Sequence, residues 1–449
     1  MAGPEKRRNV ALVHLESISN LILWQYRKEM GSIWDLLRVS RFYSRFFVSA
    51  TSTVMSIQSL MFGNDAVQDH LSLYSGSAAD RRRLPITHMT AGFKARGYDY
   101  RHFSLDNIAP QLHEGKPAPP YFTCSSDQVR LFAMCEQWLT EIGRSGMNFF
   151  LFLTDDITHM ASDGAVKRQA ATFSERFRAA YRHLDATVGI LVRLLSDHGL
   201  LENTLVVCYG DHGDELWSHA LTRGFCHGIA PYASQAWTPL FVYDNGRNAG
   251  VSGELTSITD LREMLVRMAF PDEAEKIMKQ PRSFPFSGID TGRQKRELAF
   301  SQNLYALQLE HSDLEKALTK GYAVTDGVYR LVASSGGKRP KDGGLELYYD
   351  RLDPMNSRNL LDFFTLGNNG DIVGFRPPPA AAGKAFDTLF SPETVHDIMD
   401  SYHRLKRELH DYVRAKEAEA LKRNGGEYHL MPENAFRFAR KRLRQDYTE

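Results

Sequence analysis

Cysteine is scarce in this 449-residue chain, and its hydrophobic runs are short. The four cysteines, Cys124, Cys135, Cys208 and Cys226, are spread too far apart for a disulfide framework or a paired-cysteine zinc site. Free thiols in a reducing compartment are therefore expected. No stretch approaches the roughly 20 apolar residues of a membrane-spanning helix. The opening Met-Ala-Gly-Pro-Glu-Lys-Arg-Arg is followed by no apolar signal core, so a cytoplasmic protein is expected. A dominant charge is missing too. Lys and Arg number 55 against 54 Asp and Glu, a net charge of +1, so no global field draws nucleic acid or an anionic membrane. The local basic runs, Arg81-Arg82-Arg83 and Arg437 to Arg444, read as solvated faces. Internal repeats and low-complexity tracts are absent.

What is present is an alternation of short apolar runs with helical periods. Asn9 to Leu15 reads as a buried strand with Glu16 at its carboxyl end. Gly146 to Leu153 contains a second, followed by Thr154-Asp155-Asp156-Ile157-Thr158-His159. Thr204 to Tyr209 is a third and runs into Gly210-Asp211-His212-Gly213; Pro239 to Tyr243 is a fourth. Between the second and third, Phe177, Tyr181, Leu184, Val188, Leu191 and Leu195 fall at helical spacing within Phe173 to His198. Strands alternating with helices predict an α/β fold, a mostly parallel sheet sandwiched by helices. Such sheets bind ligands beyond the carboxyl ends of their strands, which is where Glu16, Asp155 with His159, and Asp211 with His212 fall.

The carboxyl-terminal part has a different texture. Tyr322 to Ala333 reads as a strand pair with Gly327 in its turn, Ser334 to Gly344 as a loop, and Leu345 to Asp350 as another strand. Gly367 to Gly383 reads as a loop or linker, and Thr394 to Leu421 as an amphipathic helix packed on its own domain. The expected organisation is a catalytic α/β domain over 1–300, a small antiparallel subdomain over 301–365, and a loop with a helical extension over 366–449.

Glu16, Asp211 and His212 supply two carboxylates and an imidazole, donors that suit zinc or manganese, with calcium or magnesium as alternatives. Gly213 is expected to let the backbone turn sharply beneath a bound ion. Against this stands the plainer reading, Asp211 as a helix cap and His212 exposed. Thr53, in Thr51-Ser52-Thr53-Val54-Met55-Ser56, is either an N-cap hydroxyl or a metal-activated nucleophile at a helix start. His159 and His227 can donate protons or positive charge to a transferred group. Asp155, four residues before His159, is a further metal candidate and opens the possibility of a second ion. His14, His102, His198 and His219 read as structural or exposed.

These motifs, in this order, resemble the sulfatase-like branch of the alkaline phosphatase superfamily. The resemblance runs from the amino terminus to Leu361. Its strongest part is Leu184 to Leu195, Gly199 to Val207 and Gly210-Asp211-His212-Gly213. Val324 to Val332, with Glu346 to Pro354 and Asn359-Leu360, looks like the small carboxyl-terminal subdomain of soluble sulfatases. The nucleophile segment departs from true sulfatases, which carry a cysteine or serine, followed by Pro and Arg, that becomes formylglycine. Thr51 to Ser56 and Glu16-Ser17 are instead similar to the phosphoethanolamine and phosphoglycerol transferases. Aligning Ser56 with their serine places the nucleophile on Thr53. The resemblance implies one metal held by Glu16, Thr53, Asp211 and His212, with His159 and His227 near the substrate. It also implies a phosphoester, chiefly phosphodiester, hydrolase or phosphoryl-group transferase acting through a phosphothreonine. The alternatives are a sulfuric ester hydrolase and an inactive scaffold of the same fold. The expected substrate is a small-molecule or glycan- or lipid-linked phosphate or sulfate ester, faced by Asp65 to Pro120 and Trp217 to Trp237.

Overall fold

The computed structural model describes residues 7–63, 89–105, 122–158, 172–215, 227–228, 231–278, 296–303, 321–335, 344–367, 369–376, 390–423 and 436. Its main sheet has eight strands: β1 (Asn9–Leu15), β2 (Arg41–Phe47), β3 (Asp99–Leu105), β4 (Phe122–Cys124), β5 (Phe149–Asp155), β6 (Thr204–Gly210), β7 (Leu240–Tyr243) and β8 (Gly250–Ser257). Their order is β4-β3-β5-β1-β6-β7-β2-β8. β7 runs antiparallel to both its neighbours, and every other pairing is parallel.

The apolar runs are continuous because both faces of the central strands are covered. Along β1, Ala11, Val13 and Leu15 enter one core with the helix Phe173–Asp197 and the helix Gln128–Ser145. Val10 and Leu12 enter the other, with the helix Ile258–Ala269 and Ile57 and Leu60 of the helix Thr53–Phe62. β5 and β6 divide their residues in the same way. The long helix begins on a capping box, the Thr172 hydroxyl accepting from the Glu175 amide and the Glu175 carboxylate from the Thr172 amide.

A second, antiparallel sheet has the order β12-β11-β10-β9, from β9 (Ala299–Gln302), β10 (Gly321–Thr325), β11 (Tyr329–Ser334) and β12 (Gly344–Tyr349). Gly327, at φ +80°, makes the turn between β10 and β11. The helix Pro392–Arg423 lays Ile398, Tyr402, Leu405, Leu409 and Val413 against this sheet's Tyr322, Val324 and Leu331, so sheet and helix share one core. The stretch expected as a loop from Gly367 is partly a hairpin. β13 (Phe364–Leu366) pairs with β14 (Ile372–Phe375) across a bulge, anchored by Phe375 against Phe364 and Phe390. Its Gly and Asn content hid one aromatic-bearing strand, β14, whose partner β13 ends just before that stretch.

Candidate active site and metal centre

The parallel register of β1 and β6 builds the site. Leu15 pairs with Gly210, so the next residues, Glu16 and Asp211, emerge side by side beyond the carboxyl ends of adjacent strands. Both are fully buried. Ser17 fixes them: its amide donates to Asp211 Oδ1 at 3.1 Å and its hydroxyl to Glu16 Oε1 at 3.0 Å. It does so at φ +56°, a conformation costly for a residue with a side chain and the kind of strain that collects at functional sites.

Thr53 is the first residue of its helix; the residue at the N-cap position is Ser52. The plain N-cap reading of Thr53 therefore does not hold. Thr53 Oγ1 donates to Glu16 Oε1 at 3.1 Å and stands 3.0 Å from His212 Nε2. His212 Nδ1 lies 3.1 Å from the carbonyl of Gly213, which can only accept, so the ring proton sits on Nδ1 and Nε2 presents a lone pair. Burial outweighs the neighbouring carboxylates and lowers the His212 pKa, keeping the imidazole neutral. His212 is fully buried rather than exposed.

Gly213 serves the site in a different way from the one expected. Its φ is not positive; instead a Cβ there would lie 2.1 Å from the Ser234 carbonyl oxygen and 2.5 Å from Ser19 Cβ. The glycine allows close packing of the Asp211–Gly213 segment on the short helix Ala233–Ala236, whose Gln235 carbonyl accepts from the Gly213 amide at 2.8 Å.

His227 lies against His212, ring centroids 4.2 Å apart, and its Nδ1 is 2.8 Å from Asp214 Oδ1. The Gly228 amide is held by Gln235 Oε1 at 2.9 Å. Asp214 was not singled out from the sequence. Its place directly after the Asp-His-Gly run was visible, but its partner thirteen residues later is set by the fold.

His14 was read as structural or exposed, yet it faces the cluster. Nε2 stands 3.2 Å from Glu16 Oε2 and 3.2 Å from Asp211 Oδ2. Burial pulls its pKa down, but Asp211 and Glu16 together outweigh that and raise it. Period-two alternation along β1 puts residues 14 and 16 on one side, a signal hidden within a continuous apolar run.

Asp155 is engaged elsewhere. Its carboxylate accepts from Thr187 Oγ1 at 2.7 Å and from the Ile157 amide at 3.1 Å, and His183 Nε2 is 3.7 Å away. Burial raises its pKa against those contacts. His159 and His219 lie outside the described residues. His102 is buried, stacked on Phe152 with Nε2 3.0 Å from Thr154 Oγ1, and His198 is the carboxyl-terminal cap of the long helix. Cys124, Cys135 and Cys208 are free thiols.

The donors fit a divalent cation. His14, Glu16 and Asp211 offer atoms all within 4.8 Å of one another, and so do His212, Asp214 and His227. The lone pair of His212 Nε2 faces Asp211 Oδ2 at 3.3 Å, and the single Thr53 hydroxyl proton cannot satisfy both Glu16 Oε1 and His212 Nε2. Two buried carboxylates this close are costly without a compensating charge.

With this geometry established, comparison with known proteins places the chain. A family model described as Sulfatase matches residues 8–269, more than half of it, and spans every site residue named above. The chain belongs to the sulfatase family. Human Arylsulfatase A is 30% identical over 154 residues, 32% of this chain and 29% of that protein. The Arylsulfatase of Clostridium perfringens is 33% identical over 113 residues, 22% of this chain and 23% of that one. The chain thus matches under a third of the length of either curated relative. The solved structure of a 2-O GAG sulfatase superposes with a TM-score of 0.58 over 96% of each chain at 16% identity, a likeness of fold alone. In this sulfatase-family chain the residue at the start of the helix Thr53–Phe62 is a threonine, and no cysteine lies in the described residues around it. Among the described residues no helix is long and apolar enough to cross a membrane.

Proposed function

We propose that this protein is a metal-dependent hydrolase of sulfate esters with Thr53 as its nucleophile. The observation that carries the reading is the position of Thr53 Oγ1, buried at a helix start between Glu16 Oε1 and His212 Nε2. Family membership and the arylsulfatase relatives support the ester class. A small-molecule or glycan-linked sulfate is the substrate type that agrees with those names.

Glu16, Thr53, Asp211 and His212 would hold the metal. Bound there, a divalent ion would lower the hydroxyl pKa and neutralise the ester's anionic oxygens. The first-turn amides of the ten-residue helix Thr53–Phe62 favour the same anion. The Thr53 proton passes to Glu16 Oε1, which already accepts it. Oγ1 bonds to sulfur and the bond from sulfur to the alcohol oxygen breaks. His227, held at Nδ1 by Asp214, gives that oxygen a proton from Nε2. Water then attacks sulfur and gives a proton to His227, the sulfur–Oγ1 bond breaks as Glu16 returns its proton to Oγ1, and sulfate is released.

One observation favours a second reading, a phosphate ester. A threonine has only one hydroxyl, whereas hydrated formylglycine has a second that can expel the bound sulfate. A phosphothreonine discharged by water or an acceptor alcohol avoids that difficulty, and the same residues would serve. Parallel assays of aryl sulfate and of aryl phosphate mono- and diesters with metal-loaded protein separate the two. Faster sulfate turnover supports the first reading, faster phosphodiester turnover the second, and turnover of neither rejects both.

A further inference from the structure

One histidine at the cluster has no part in the four-residue ligand set. His14 lies on β1 two residues before Glu16, on the same side of the strand, and is 1% exposed. Among the described residues its Nδ1 makes no hydrogen bond. Yet Nε2 is 3.2 Å from both Glu16 Oε2 and Asp211 Oδ2, and His212 Nε2 is 3.3 Å from Asp211 Oδ2. Two ligands of a tetrahedral zinc, each about 2.0–2.1 Å from the ion, are separated by about 3.3 Å. His14 Nε2, Glu16 Oε2 and Asp211 Oδ2 therefore already have the spacing of neighbouring ligands of one ion. Nε2 carries at most one proton, which serves only one of the two carboxylate oxygens facing it, whereas a cation among the three atoms serves both.

We propose that His14 is a ligand of the metal through Nε2. The centre then takes two imidazole nitrogens, from His14 and His212, together with the carboxylates of Glu16 and Asp211 and the Thr53 hydroxyl. Calcium and magnesium prefer shells of oxygen, whereas paired imidazoles with carboxylates suit zinc. The site is accordingly a zinc site that discriminates against calcium. This rests on the metal centre of the proposed function but on no step of its reaction.

The test is calorimetric titration of chelator-stripped full-length protein with zinc and, separately, with calcium, for wild type, H14Q and H14A. Zinc affinity should fall at least about tenfold in both variants, while calcium affinity stays within about twofold. Zinc affinity equal to or above wild type in both variants would overturn the proposal and make His14 a charged clamp on the carboxylates. Circular dichroism of the stripped variants checks folding. Should they not fold, cobalt-substituted wild type decides: two paramagnetically shifted imidazole N–H resonances are expected, and one would overturn the proposal. Loss of ester turnover with intact zinc binding would count against the hydrolase reading alone.

Discussion

Asp214 Oδ1 lies 2.8 Å from His227 Nδ1, while the His227 ring rests against His212. The carboxylate engages Nδ1 and leaves Nε2 as the ring nitrogen to serve a substrate. Asp214→Ala should therefore slow turnover most for esters with poor leaving groups, which need a proton from His227. A loss of about 10²-fold is expected for alkyl or weakly acidic aryl esters, from the usual size of general-acid catalysis. Nitrophenyl esters should lose much less. A leaving-group series on wild type and variant measures this, and an equal loss across the series would remove His227 from the acid role.

Gly213 has no room for a side chain against Ser234 and Ser19. Gly213→Ala must push the Asp211–Gly213 segment off the Ala233–Ala236 helix. A destabilisation of about 1–3 kcal/mol is expected from overpacking. Bound metal should fall with it, because His212 and Asp211 belong to the same segment. Denaturant unfolding together with metal analysis checks both.

Asn356 ties the small sheet to that same helix. It is fully buried at φ +50°, its Oδ1 accepts from the Ala233 amide at 2.6 Å, and its Nδ2 donates to Asp350 Oδ1 at 3.0 Å. Asp350 in turn accepts from the buried Arg330 Nε at 3.1 Å. Asn356→Ala leaves buried partners unsatisfied and should cost about 1–3 kcal/mol. Because Gln235 of the helix holds Gly228, beside His227, the variant should also lower kcat more than it raises KM. Kinetics at fixed metal loading with a urea titration measure the two effects.

The parts of this protein legible in its sequence are those that burial makes repetitive. β1, β5 and β6 are covered on both faces, so they read as unbroken apolar runs, and the carboxylates at their carboxyl ends, Glu16, Asp155 and Asp211, are marked at once. β8 was not legible: Gly250 to Ser257 has four exposed positions among eight, and its pairing with β2 comes only from the fold. The unbroken apolar character that announced β1 also concealed His14, because a residue inside such a run gives no sign of which face it serves. Asp214 is a short-range neighbour of His212 whose importance depends on a long-range partner. The helix Pro392–Arg423 displayed an apolar stripe, but a stripe does not name the sheet it covers.

The central claim is that Thr53 is the nucleophile at a metal centre. Its most direct test is turnover of aryl sulfate and aryl phosphate esters by metal-loaded wild type and Thr53→Ala, with bound metal quantified in both. The account predicts metal-dependent turnover by wild type and a loss of about 10³-fold or more in the variant, in line with removal of a covalent nucleophile. Unchanged turnover by Thr53→Ala at equal metal content would contradict it.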